Sequence, residues 1–250
     1  MPENDSMTNP EAGFRSAIQF LTRFPVAGGG ARGAAASLPW YPAVGALLGL
    51  LGVVAGWLFT GSGASILPAA VFVAVLAAAS GGLHLDGLAD AADAWIGGQG
   101  DRERTLAIMK DAMVGPVGVA AILVVLLLKA AAASALFAVD ASWTLILAPA
   151  LGRAAAAALL LGLPYLRDAG LGSAVIDDMP RAHVRYSLIG TAVVAFFITP
   201  LGLIAAVGAL VGLAAVYRRY LGGVTGDCTG AGVELVETAA LLGACLTLSG

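Results

Sequence analysis

From Ser187 to Val216 the chain runs through 30 residues without one charged side chain. A helix that crosses a bilayer needs about 20 mostly apolar residues, within a range of roughly 17–25. The run is therefore long for one pass and short for two, and Thr199-Pro200-Leu201-Gly202 near its middle suits a turn. Pro42–Thr60, Ala64–Ser80, Val114–Phe137 and Trp143–Leu163 are further stretches of spanning length. Glu237–Leu248 is shorter and needs Val233–Val236 to span. Backbone polar groups inside lipid must be satisfied within their own segment, so such stretches are helices. Composition agrees: 59% of residues are apolar and 12% charged, against about 45–50% and 25% in soluble domains.

The fold class that follows is all-α: a polytopic integral membrane helical bundle of about seven transmembrane helices embedded in the lipid bilayer. Residues 14–250 read as one membrane-embedded domain behind a flexible, polar and acidic N-terminus, residues 1–13. That N-terminus lacks the basic start and apolar core of a secretory signal, so insertion falls to the first spanning helix. Phe14–Phe24 carries Phe14, Ala17, Ile18 and Leu21 at helical spacing beside Arg15 and Arg23, the pattern of an interfacial helix. So apolar a chain does not stay disordered. Cys228 and Cys245 are too few for a disulfide scaffold. With 13 Lys+Arg, 16 Asp+Glu and no basic run, the chain has no nucleic-acid-binding character.

Of the 13 basic residues, 11 fall in four segments, residues 1–41, 81–113, 164–186 and 217–236. The intervening turns, Gly61–Gly63, Ala138–Ser142 and Thr199–Gly202, carry none. Basic residues collect on the cytoplasmic side, so the alternation supports seven passes with the four basic segments inside. The other two basic residues, Lys129 and Arg153, lie within apolar stretches. Lys129 is placed toward the outer half, where a lysine can snorkel. Arg153 is deeper, where a charge faces a cavity or a partner, and a functional or ion-paired role is expected for it.

Three clusters carry chemistry. In Gly81-Gly82-Leu83-His84-Leu85-Asp86-Gly87-Leu88-Ala89-Asp90-Ala91-Ala92-Asp93, helical geometry puts Asp90 and Asp93 within about 40° and 20° of Asp86. Three carboxylates on one narrow face repel each other. A hard divalent cation relieves that repulsion, and Mg²⁺ takes carboxylate oxygens together with substrate phosphates. The second cluster holds Asp227 in a Gly-rich stretch, a metal ligand or a helix N-cap, followed by Glu234 and Glu237 sharing one face at the opening of the last apolar segment. Its glycines allow backbone to approach a ligand. The third, Lys110-Asp111 before Gly115-Pro116, places a cation and a carboxylate at a membrane entry, where Asp111 also suits a cap. All three lie on the side assigned to the cytoplasm, and a Mg²⁺ pocket there suits a phosphorylated, nucleotide-activated substrate. His84 precedes the acidic face and could support it from behind; His183 reads as a surface residue. Gly45 and Gly49 read as close helix packing. A secondary transporter with intramembrane carboxylates that bind cations or protons is the competing class.

The segment Gly81–Asp93 resembles the hallmark of the cobalamin synthase family, the adenosylcobinamide-GDP ribazoletransferases. Phe20–Val26, Arg104–Gly118, Arg153, Gly170-Leu171-Gly172 and Leu221–Asp227 agree in order. Departures are Ala112-Met113, where the family usually has Ser-Arg, and Thr229 in place of Leu; a phosphate contact from that arginine would be missing. The resemblance implies joining adenosylcobinamide-GDP to α-ribazole or its 5′-phosphate with release of GMP, a Mg²⁺ cofactor, and a multi-pass protein of the inner membrane with its site toward the cytoplasm. The expected metal ligands are Asp86, Asp90, Asp93 and Asp111. Asp86, Asp90 and Asp227 are the expected catalytic residues, with Asp227 in the metal shell or acting as base. His84, Lys110, Arg153, Glu234 and Glu237 are expected to bind substrate. The oligomeric state is left open, a homo-oligomer included.

Overall fold

Proline opens four of the long helices, at Pro42, Pro68, Pro116 and Pro200. Its missing N–H costs nothing in a first turn, and its fixed φ suits one. The computed structural model describes residues 10–26, 30–61, 66–111, 113–166, 176 and 179–249. Among them the regular secondary structure is helical, apart from one parallel bridge between Tyr165 and Val224. The helices are α1 (Pro10–Leu21), α2 (Gly30–Ser37), α3 (Tyr41–Trp57), α4 (Leu67–Ser80), α5 (Leu83–Gly98) and α6 (Arg102–Ile108). They continue as α7 (Pro116–Ala138), α8 (Ser142–Gly162), α9 (Arg181–Ile198), α10 (Pro200–Tyr220) and α11 (Gly226–Cys245).

The expected interfacial helix begins earlier than its apolar pattern, at Pro10, so residues 10–13 belong to it; residues 1–9 lie outside the described part. It stops at Leu21. Pro25 disfavours helix at Phe24, and the Thr22 hydroxyl donates back to the Ile18 carbonyl at 2.7 Å. The long uncharged run breaks at Thr199, between α9 and α10, where Pro200 predicts it.

The basic segments meet at one end of the bundle. There the Arg23 N–H bonds Ala79 O (2.8 Å), Leu166 N–H bonds Val224 O (2.9 Å) and Arg102 Nε bonds Leu221 O (2.7 Å). The Ser187 hydroxyl donates to Pro39 O at 2.6 Å. At the opposite end, Gly56 packs on Phe137 and Pro68, and Gly243 on Leu201. Among the described residues, α3, α4, α7, α8, α9, α10 and α11 thus run from end to end.

The number that can cross a membrane by length and composition is smaller than the expected seven. Among the described residues five qualify, at Ala35–Trp57, Pro116–Ala138, Ser142–Gly162, Pro200–Tyr220 and Gly226–Leu248. A sixth is reached only if α4 and α5, bent by 88° at the break between them, count together. The 14 residues of α4 cover about 21 Å, short of the ~30 Å hydrocarbon core. The first two turns of α9 carry Arg181, His183 and Arg185, which leaves it a short apolar part. Outward faces are apolar: Leu123 and Leu127 of α7, Phe196 and Phe197 of α9 and Val211 of α10 are exposed. They suit lipid, where helix association relies on close packing more than on apolar burial.

Glycine supplies that packing between α3 and α8. A Cβ at Gly49 would stand 2.6 Å from the Ile146 carbonyl oxygen, and one at Gly45 2.7 Å from the Ala150 Cα. The pair acts as the sequence implies. Gly49→Ala should force the helices apart and cost about 1–3 kcal/mol, read as a lower thermal midpoint in detergent. Gly212→Ala, with open space around it, should leave the midpoint unchanged.

Candidate active site at the basic end of the bundle

Two left-handed glycines turn the chain from α4 into α5. Gly81 (φ +62°) and Gly82 (φ +72°) return their N–H groups to Ala78 O and Ala77 O, closing α4 as a glycine C-cap does. The α5 helix then crosses α11 almost backbone to backbone. A Cβ at Gly87 would lie 3.0 Å from Asp227 O and 3.3 Å from the Gly230 Cα; one at Gly230 would meet the His84 Cα at 3.4 Å. The glycine-rich stretch expected to approach a ligand is therefore the first two turns of α11, and what it approaches is another helix. Thr225 caps that helix, its Oγ1 accepting from the Cys228 N–H at 3.2 Å. Asp227 is accordingly not the side-chain cap, and it sits in a first turn that favours negative charge.

This crossing brings Asp86 and Asp227 to one pocket of about 320 Å³, shared with His84, Thr229, Tyr41 and Tyr165. Asp86 is exposed, Asp227 and Asp90 are half-buried, and His84 is 4% exposed with no hydrogen-bond partner for Nδ1 among the described residues. Tyr41 and Tyr165 carry no sequence signal that singles them out; Tyr165 reaches the pocket through the bridge of its strand-like backbone to Val224.

The expected carboxylate triplet divides. Asp93 Oδ2 accepts from the Gly115 N–H at 2.7 Å and Oδ1 from the Gly118 N–H at 2.9 Å. It caps the start of α7, a first turn whose N-cap, Gly115, has no side chain of its own. Asp111 is exposed and accepts from the Met113 N–H at 3.1 Å in a local turn. Neither Asp111 nor the exposed Lys110 lines the Asp86–Asp227 pocket. No group of three acidic, histidine or cysteine side chains stands together as a metal cage among the described residues. Ala112 lies outside the described residues, as do Gly170-Leu171-Gly172. Met113, at the position of the family's usual arginine, is 79% exposed.

The remaining expected substrate contacts are engaged with one another. Lys129 of α7 donates to Glu234 Oε2 at 2.6 Å and Glu237 Oε1 at 2.8 Å, and Arg153 Nη1 of α8 pairs with Glu237 Oε2. All four are buried, with side chains at most 7% exposed. Lys129 therefore does not snorkel; it is neutralised in place. Glu234 and Glu237 lie in the middle of α11, two turns beyond Asp227, and do not open the segment. Gly152 of α8 allows the approach, since a Cβ there would be 3.1 Å from the Glu237 Cβ.

A family model described as cobalamin-5-phosphate synthase matches residues 13–245. The chain belongs to this family. Curated adenosylcobinamide-GDP ribazoletransferases are similar to this cobalamin-5-phosphate synthase family member along nearly their whole length. The protein of Ectopseudomonas mendocina is 46% identical over 241 residues, covering 94% of this chain and 98% of that one. Those of Pseudomonas putida F1 and Pseudomonas syringae pv. syringae B728a are each 44% identical, covering 94% and 92% of this chain and 99% and 97% of theirs. No solved structure matches. The transporter alternative finds no support in these relatives.

Breaking the buried network should be costly. Arg153→Ala leaves a carboxylate without its partner and should lower stability by about 3–5 kcal/mol, read as lost monodisperse yield. Arg153→Met with Glu237→Gln keeps the Lys129–Glu234 pair and overall neutrality, and should recover a large part of that yield. A different signature belongs to Asp93→Ala. Loss of an N-cap costs about 0.5–2 kcal/mol, and the thermal midpoint should fall equally with and without Mg²⁺.

Proposed function

We propose that the chain transfers the adenosylcobinamide-phosphoryl group of adenosylcobinamide-GDP to α-ribazole, or to its 5′-phosphate, with release of GMP. That is the last assembly step of vitamin B12. One observation carries the reading: 46% identity to a curated ribazoletransferase over nearly the whole of both chains. Its support in the fold is the pocket that joins Asp86 to Asp227 at the end where the basic segments gather.

The donors present suit Mg²⁺. They are hard carboxylate oxygens, and Mg²⁺ uses one or two carboxylates with water and substrate phosphates in place of an all-protein cage. Asp86 and Asp227 would hold it, with Asp90 one turn along α5; Asp93 is occupied as a cap. When bound, the ion supplies charge neutralisation at a diphosphate and at a departing phosphate. The chain's own residues do the rest. The α5–α11 crossing fixes the two carboxylates on facing helices. Tyr41 and Tyr165 give the pocket flat apolar walls. Arg153, Glu234 and Glu237 support the site from below, by holding α8 and α11 together. Exposed Lys110 adds positive charge at the same end, where it favours the approach of an anionic substrate.

The proposed setting is the inner membrane with the pocket toward the cytoplasm, as the basic segments favour. Inverted vesicles carrying the protein should release GMP from externally added adenosylcobinamide-GDP only when α-ribazole and Mg²⁺ are present. Right-side-out vesicles should not. Asp86→Asn should abolish release while the protein stays inserted and monodisperse. Release without α-ribazole, or full release by Asp86→Asn, would overturn the reading.

A further inference from the structure

We infer that Asp86 divides the site into two clefts, one per reactant: a tyrosine-walled pocket for the nucleoside that brings the attacking hydroxyl, and an Arg23-bearing cleft for the diphosphate of the nucleotide-activated donor. The inference rests on the reading above and assigns the parts of that site.

Two cavities, of about 320 and 390 Å³, meet at Leu83 and Asp86, which line both. The first is walled by Phe20, Tyr41 and Tyr165, and aromatic faces stack flat bases. It also contains His84, 96% withdrawn from solvent, whose Nδ1 has no partner among the described residues. The volume lies at the small end of the range for drug-sized ligands. It suits a single nucleoside and not a corrinoid carrying a nucleotide.

The second cleft lies between the α4–α5 corner and the start of α7, with Arg23, Gly81, Gly82 and Val114 on its walls. Arg23 is anchored twice. Its N–H bonds Ala79 O at 2.8 Å, and its stem lies across Gly81, where a Cβ would collide with Nε and Cγ. Among the described residues its guanidinium meets no carboxylate within ion-pairing distance. Arg23 is exposed, and a guanidinium on a held stem, with no carboxylate partner among the described residues, presents a planar fork that matches phosphate oxygens in pairs. Gly82, the N-cap of α5, has no side chain to cap the first turn, and N–H groups of such a turn favour anions.

Placed this way, the two reactants face each other across Asp86. The nucleoside hydroxyl oxygen forms the new bond to the phosphorus that carries the cobinamide. The bond from that phosphorus to the oxygen of GMP breaks, and GMP leaves with the electron pair. The hydroxyl proton balances on the phosphate of the released GMP.

Steady-state GMP release with each reactant varied in turn tests the division. Arg23→Gln should raise the KM for adenosylcobinamide-GDP about 10-fold or more, the loss expected for a charge-assisted hydrogen bond, with the KM for α-ribazole within about twofold. Arg23→Lys, which keeps charge and loses the fork, should fall between. Tyr165→Leu should do the reverse, and Tyr165→Phe, which keeps the ring, should raise the KM for α-ribazole by less than Tyr165→Leu does. Calorimetric binding of inorganic pyrophosphate to the solubilised protein reads the Arg23 cleft without turnover: affinity should drop in Arg23→Gln. Equal pyrophosphate affinity in the wild type and folded Arg23→Gln, or both variants raising the KM of the same reactant, would overturn the division. A wild-type protein that binds pyrophosphate through Arg23 yet releases no GMP would instead overturn the underlying reading and leave the anionic cleft standing.

Discussion

Lys129 and Arg153 are almost wholly buried, and the helix that neutralises them is α11. Its Glu234 and Glu237 meet a cation from α7 and a cation from α8, so one neutral cluster ties three helices together at depth. Attraction is strong there because little solvent screens it, and the cluster is specific because each partner left alone is costly. One to two turns nearer the basic end, the same helix crosses α5 at Gly87 and Gly230. The position of Asp227 relative to Asp86 is thus set by a helix whose depth and rotation are fixed by ion pairs below it.

The division of labour among the acidic residues follows from the same geometry. Carboxylates with buried cations or helix ends for partners are structural: Glu234, Glu237 and Asp93. Asp86 and Asp227 instead line the pocket between α5 and α11, Asp86 exposed and Asp227 half-buried. Packing at the crossing is glycine against glycine, which brings the two carboxylate-bearing backbones as near as helices can come.

Much of this was legible in the chain. Lys129 and Arg153 announce themselves as charges within apolar stretches, Glu234 and Glu237 as carboxylates at the opening of the last such stretch, and Pro200 marks the break after α9. The pairing among them was hidden, because periodicity gives the face of a helix and not the neighbour it meets. Asp86, Asp90 and Asp93 do share a face. Seven residues along α5 is also about 10 Å of axis, far enough for the first to reach α11 and the last α7. The glycine-rich start of α11 misleads for a related reason. Intrinsic propensity argues against helix, and contacts of Gly230 with α5 and of Gly232 with Leu159 override it. The shortfall of α4 was present in Gly81-Gly82, two residues that permit the left-handed corner.

The ion-pair cluster also has a history within synthesis. Glu237 is made 84 residues after Arg153 and 108 after Lys129. At roughly 5–20 residues per second, the cations exist for several seconds before either carboxylate. A charge at the centre of a helix costs about 2.5–3.5 kcal/mol on translocon scales, so α7 and α8 carry that burden separately until α11 arrives. Integration of the bundle is thereby coupled to completion of its last helix. A ribosome that stalls before Glu234 leaves a hairpin bearing two uncompensated positive charges, a form that membrane quality control can distinguish from the finished chain.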